Sequence, residues 1–177
     1  MCGDFVEAWD LYIHDSRYPV CIIAAPKTKE KSMKQTINHP LFGEFNFDEA
    51  LNDYCGTVDW CGSEVDVYLS DYAPEDSSEQ IFANLHTIYA ARDVWDKKLR
   101  QFAAEKYTAL ANDWRDDDDT HEITAQEFAE RLQPSVLNVC KGGLFTFHFE
   151  DDDLFAGHSI SVDAMAEGEL LGASMQG

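Results

Sequence analysis

Between Pro74 and Pro134 the chain carries no glycine or proline, and this uninterrupted stretch constrains the fold more than any other feature. Within it Ile81, Leu85, Ile88, Trp95, Leu99 and Phe102 recur at three- and four-residue steps, and Leu110 and Trp114 continue the series. That is the period of a helix with one apolar face. A single helix over residues 78–114 would run about 55 Å at 1.5 Å per residue, whereas a domain of this length is only about 40 Å across. The stretch must break, and residues 92–96 are the expected place, giving two packed helices with Trp95 and Trp114 in the core stripe. A third, short helix is expected from Thr124-Ala125-Gln126-Glu127, which has capping-box spacing, through Leu132 to a stop at Pro134.

On either side of the helices the period changes to two. Phe45 and Phe47 alternate with Glu44, Asn46 and Asp48, residues 54–61 read as a strand, and Val65, Val67 and Leu69 alternate with Glu64, Asp66 and Tyr68. Past the helices, residues 136–140 lead through Lys141-Gly142-Gly143 into residues 144–150, where Phe145, Phe147 and Phe149 alternate with Thr146 and His148. Further strands are expected at residues 158–162 and 169–175. Upstream, residues 9–14 and 20–25 read as a hairpin, followed by a loop bearing Lys27, Lys29, Lys31 and Lys34. The order predicts a single α+β domain over residues 1–177, with antiparallel β meanders before and after a layer of about three helices. Residues 1–41 are expected to add a hairpin extension to a core at residues 42–177.

Charge narrows the function. Thirteen Lys and Arg face thirty-four Asp and Glu, a net charge of -21. Residues 35–91 contain no Lys or Arg, while residues 116–177 set many acids against Arg131 and Lys141 alone. Such a field repels phosphate backbones and anionic membranes and draws cationic partners. No apolar run approaches the ~20 residues of a membrane helix, and the opening MCGDFVEAWD lacks a basic leader and an apolar core. A cytoplasmic protein with no direct nucleic-acid or membrane binding is expected. Five cysteines argue against a disulfide scaffold. Cys55 and Cys61 lack zinc spacing, and Cys21 and Cys140 read as small core residues.

No phosphate loop, dinucleotide fingerprint, hydrolase elbow or paired zinc motif occurs, so no catalytic residue and no cofactor is assigned. The run Asp116, Asp117, Asp118, Asp119 lacks the glycine and terminal glutamate of a calcium loop. His148, Asp151, Asp152, Asp153 and His158 make the best metal-ligand group by residue type. Parity opposes it. With the three phenylalanines facing the core, Phe149 pairs near His158, Phe147 near Ile160 and Phe145 near Val162, which sends His148 to the other face. Parity also separates His158 from Ser159 as base and nucleophile. His158 is expected to hold the neighbouring turn, with Gly157 at a bend.

Four segments, residues 42–70, 103–114, 122–132 and 154–177, resemble a bacterial family known as domain of unknown function 2262. The most specific piece is Leu154-Phe155-Ala156-Gly157-His158-Ser159-Ile160. The resemblance implies an intracellular bacterial protein of mixed architecture and carries over no active site. The function expected is that of a non-enzymatic interaction protein, immunity- or inhibitor-like, binding a basic protein partner. Asp116, Asp117, Asp118, Asp119, Asp151, Asp152, Asp153 and His158 are its candidate contact residues. The alternative is an enzyme or a small-ligand or metal-binding protein using His148, Asp151, Asp152, Asp153 and His158; a third option is an oligomer-forming module.

Overall fold

Among the described residues four strands, three helices and four further strands follow one another along the chain. A computed structural model describes residues 36–70, 79–115 and 121–177, all within one unit, Lys34–Gly177. The expected hairpin at residues 9–25, the lysine loop and the run at residues 116–119 lie outside the described residues. The first meander comprises β1 (Ile37–His39), β2 (Gly43–Asp48), β3 (Asp53–Trp60) and β4 (Ser63–Ser70). Then come α1 (Glu79–Ala90), α2 (Arg92–Asp113) and α3 (Ala125–Arg131), followed by β5 (Gln133–Cys140), β6 (Leu144–Glu150), β7 (Ser159–Met165) and β8 (Leu170–Gln176).

The strands form one sheet in sequence order, and every neighbouring pair is antiparallel except β4 with β5. The two expected meanders thus share a sheet. A parallel join needs a crossover long enough to return the chain to the same edge, and the helices supply it. Pro134 sits inside β5 rather than ending α3. A bulge at Ser135, between Pro134 and Val136, separates their pairings to β6, which is where a residue without an N–H is tolerated.

Side chains alternate across each strand, and one face gathers the core: Trp60, Val65, Val67, Leu69, Leu137, Val139, Phe145, Phe147, Phe149, Ile160 and Val162 are buried. Phe45 joins them because Gly56 lies beneath its ring; a Cβ there would stand 2.8 Å from the ring. Helices cover this face. The break between α1 and α2 falls at Ala91, whose carbonyl accepts from the N–H groups of Val94 and Trp95. Trp95 is buried and meets Phe145 edge-on. Trp114, expected in the core, is 47% exposed: it caps the C-terminus of α2 and lies edge-on to Phe155 and His158 of the β6–β7 loop instead of entering the core stripe.

Polar side chains fix the layers. Asn84 on α1 donates to the carbonyls of Cys140 and Lys141 at 3.1 and 2.9 Å. On α2, Lys98 reaches the Gly168 carbonyl, while Lys106 and Tyr107 reach that of Ala173 on the edge strand β8. Helix α3 opens on the expected capping box, with Thr124 accepting from the Glu127 N–H and Glu127 from that of Thr124.

Candidate functional site

Among the described residues, no strand contains a Lys or Arg. Their acids are Glu44, Asp48, Asp53, Asp59, Glu64, Asp66, Glu150 and Asp163. The pairing puts all of them on one face. Asp48 opposes Asp53, Asp59 opposes Glu64, Thr57 opposes Asp66, and that row continues through Val136, His148 and Ser161. The parity is opposite to that of the buried phenylalanines, so these carboxylates occupy the face away from the helices. The described bases lie instead on α2 and α3, at Arg115 just past α2, and at Lys141 in the β5–β6 turn.

A cleft of about 420 Å³ opens on the acidic face. Leu51 and Asp53 form one end, Tyr68, Ser70, Val136 and Asn138 the floor, and His148, Glu150 and Ser159 the other end. The bulged Ser135 lines it too, and its hydroxyl donates to the His148 carbonyl at 3.2 Å. Ser70 donates to Asp53 at 3.0 Å.

Electrostatics follow the crowding. Burial raises the Cys55 thiol pKa, with Asp48, Asp53 and Asp66 adding to the shift. Tyr68 is raised by burial and then by Asp66, Cys55 and Asp48. Cys61 is pushed up to about 11 by burial and by its hydrogen bond to Asp93. Neither thiol has the depressed pKa of a nucleophile.

His148 is half-buried, and burial lowers its pKa despite the opposing charges of Asp163 and Glu150. The Asn138 amide nitrogen stands 3.0 Å from Nε2; that nitrogen only donates, so Nε2 accepts and the imidazole is neutral with its proton on Nδ1. The folded pKa thus lies below the unfolded value near 6.5. The contribution to stability is complete above about pH 6.5 and is lost as pH falls from there through the folded pKa. Urea midpoints measured from pH 7.5 down to 5 should decline, and His148→Asn should flatten that decline; an equal decline in the variant would contradict the assignment.

The loop between β6 and β7 holds the other sequence candidates. Asp151 is 2% exposed and accepts from the N–H groups of Asp153 and Phe155 at 3.2 and 2.6 Å. Asp152 pairs with Arg131 at 2.8 Å. His158 bonds through Nδ1 to the Phe155 carbonyl, so it holds the turn through backbone rather than through an aspartate. Its ring lies edge-on to Trp114, and it precedes β7. The pairing of β6 with β7 sets Phe149 opposite Ile160 and Phe147 opposite Val162. That is two residues from the expected register and of the same parity. His148 and the His158 turn are therefore not brought together, and no group of three or more His, Cys, Asp or Glu among the described residues is placed to hold a metal ion. Cys140, expected in the core, shares the acidic face and is only partly buried. Sequence reasoning located the charge but missed the cleft; alternation in Glu64-Val65-Asp66-Val67 shows the acids of one strand sharing a face, and the register between strands joins those rows into one acidic face.

The chain matches a family of uncharacterised proteins conserved in bacteria, domain of unknown function 2262, over residues 39–175. It belongs to that family. Comparison with curated proteins and with solved structures gives no match. The match runs from the last residue of β1 to Met175 in β8, so it takes in β2 through β7, most of β8 and the helical layer. No helix among the described residues is long and apolar enough to cross a membrane.

Proposed function

We propose that this family member is an acidic, non-enzymatic interaction protein, immunity- or inhibitor-like, that docks a basic protein partner on the open face of its sheet. The observation that supports it is the segregation of charge: among the described residues, every strand carboxylate lies on one face and no strand carries a Lys or Arg. The Asp59–Glu64 pair adds to this, because like charges directly opposite one another destabilise a sheet and a cationic partner offsets that cost. Opposite potentials steer encounter and fix orientation, while a few buried anchors supply affinity. Asp116, Asp117, Asp118, Asp119, Asp152 and Asp153 contribute long-range field in this scheme, and Asp151 and His158 keep the β6–β7 loop in shape.

Capture from lysate of a bacterium encoding the chain, with mass-spectrometric identification, tests the proposal. Salt at 0.1 M and 1 M shortens the screening length from about 10 Å to about 3 Å. A basic protein retained at the lower concentration and released at the higher is the expected result. Retention that ignores salt, or a captured set without a basic protein, would overturn it.

A further inference from the structure

A second pocket, of about 370 Å³, opens where the ends of α2 and α3 meet the β6–β7 loop, and none of its lining residues lines the acidic cleft. That volume lies in the range of small-molecule sites. Trp114 and Arg115 line it from the end of α2, Arg131 from the last turn of α3, and Asp153, Leu154 and Ala156 from the loop. Arg131 is fixed by Asp152, its Nε donating to the carboxylate at 2.8 Å and its Nη2 to the backbone carbonyl at 2.7 Å. Its Nη1 makes no hydrogen bond among the described residues. The Asp153 carboxylate makes none among them either; only the backbone N–H of that residue is engaged, by Asp151. Asp153 stands one residue, about 3.8 Å between Cα atoms, past the residue that Arg131 holds. A guanidinium and a carboxylate thus line one pocket as neighbours without pairing to each other. Arg115 adds a second cation, its guanidinium tied to the carbonyls of Asn112 and His121. The exposed Trp114 ring, edge-on to Phe155 and His158, and the Leu154 side chain supply apolar surface.

We propose that this pocket binds a free α-amino acid with an apolar or aromatic side chain. The ligand carboxylate accepts from Nη1 of Arg131, on the side where Arg115 adds positive charge, and the ligand ammonium donates to Asp153. The ligand side chain lies against Trp114 and Leu154. An α-amino acid carries its two charged groups on one carbon, so it reaches both protein groups through two hydrogen bonds of about 2.9 Å each, a short span that suits neighbouring residues. Both bonds are charge-assisted, the stronger kind. The chain's own charge selects the class. A bare anion meets the field of a net charge of -21, whereas a zwitterion has no net charge and responds to the local pair. A bare cation would be drawn to Asp153 but repelled by the two arginines. This inference goes beyond the docking function and stands whether or not that function does.

Backbone amide spectra of the full chain, titrated with L-phenylalanine and L-leucine, test the pocket. At least one of the two should shift Arg131, Leu154 and Ala156 saturably. Two analogues of phenylalanine each lack one charge: 3-phenylpropanoate has no ammonium and phenethylamine no carboxylate. Each should bind about tenfold or more weakly than L-phenylalanine, since bonds to charged groups carry that much. Asp153→Asn should weaken amino-acid binding by the same factor. Asparagine tolerates the left-handed backbone at that position, and the lost carboxylate holds nothing among the described residues, so this variant should fold. Arg131→Gln should weaken binding as much, but it also gives up the Asp152 pair; where it fails to fold, Asp153→Asn and the two analogues decide. Asp59→Asn on the open sheet face should change binding less than about threefold. No saturable shift with either amino acid, an analogue that binds as well as L-phenylalanine, or full binding by the Asp153→Asn variant would overturn the proposal.

Discussion

Trp60→Ala is expected to lower stability by about 3–5 kcal/mol, the range for deleting a large buried aromatic side chain. Trp60 is fully buried at the end of β3, its ring centroid 4.7 Å from that of Phe147. Its Nε1–H donates to Asp96 on α2 at 3.1 Å, and Asp96 also takes the Arg100 guanidinium at 2.8 Å. The indole thus joins the sheet to the helical layer at a point where the carboxylate is already paired. Trp60→Phe keeps most of the ring volume and gives up the donor, so about 1 kcal/mol is expected for the lost hydrogen bond, with some added loss from the smaller ring. Urea denaturation separates the two. A loss under about 1.5 kcal/mol for the alanine variant would mean that the layers are not joined there.

Asp151→Ala should cost about 2–4 kcal/mol, although a surface aspartate ordinarily costs almost nothing to replace. The loop it holds carries Asp152, Asp153, Ala156 and Gly157 at φ of 49°, 63°, 55° and 84°, and the first three pay for a left-handed backbone that only glycine adopts freely. The buried carboxylate offsets this by accepting two loop N–H groups, which alanine would leave unsatisfied. Phe155 then loses its seat, where it touches Tyr107, Trp114 and Phe128. Asp151→Asn retains an acceptor and should cost roughly half as much. Thermal melts with Trp114 fluorescence as a local probe measure both effects; an alanine variant as stable as the parent with unchanged fluorescence would refute the role.

Local signals in the sequence were sufficient for most elements. The Thr124–Glu127 capping box, the break that falls at Ala91, and the alternation of Phe145, Phe147 and Phe149 each depend on residues a few positions apart. Non-local pairing was not legible. Nothing in β4 or β5 alone says that they lie side by side in parallel, and β1 is too short to show a period. The two-residue offset between β6 and β7 is set by the β6–β7 loop, whose left-handed residues are mostly not glycine. The cleft gathers side chains from five strands and a turn, so no spacing in the chain announces it. The acidic tract was plain in the sequence, yet its one-sidedness emerges only when strand register converts alternate positions into a face. Asp151 illustrates the reverse case: an acid in an acidic run, expected as a partner-contact or metal-ligand candidate, is buried and accepts from two loop N–H groups.

The central claim is that the position of the carboxylates, not their number, makes the protein work. The most direct test compares two triple variants of equal net charge for affinity toward the captured partner. One, Asp59→Asn, Glu64→Gln and Asp66→Asn, neutralises exposed residues of the open sheet face. The other, Glu105→Gln, Asp113→Asn and Glu130→Gln, neutralises exposed residues of the helices. Neither set is buried, and removing the Asp59–Glu64 opposition relieves like-charge repulsion, so both chains should fold. A loss of about tenfold or more for the sheet variant, against less than about threefold for the helix variant, is the expected result. Equal losses in the two would show that overall charge alone governs binding and would contradict the account.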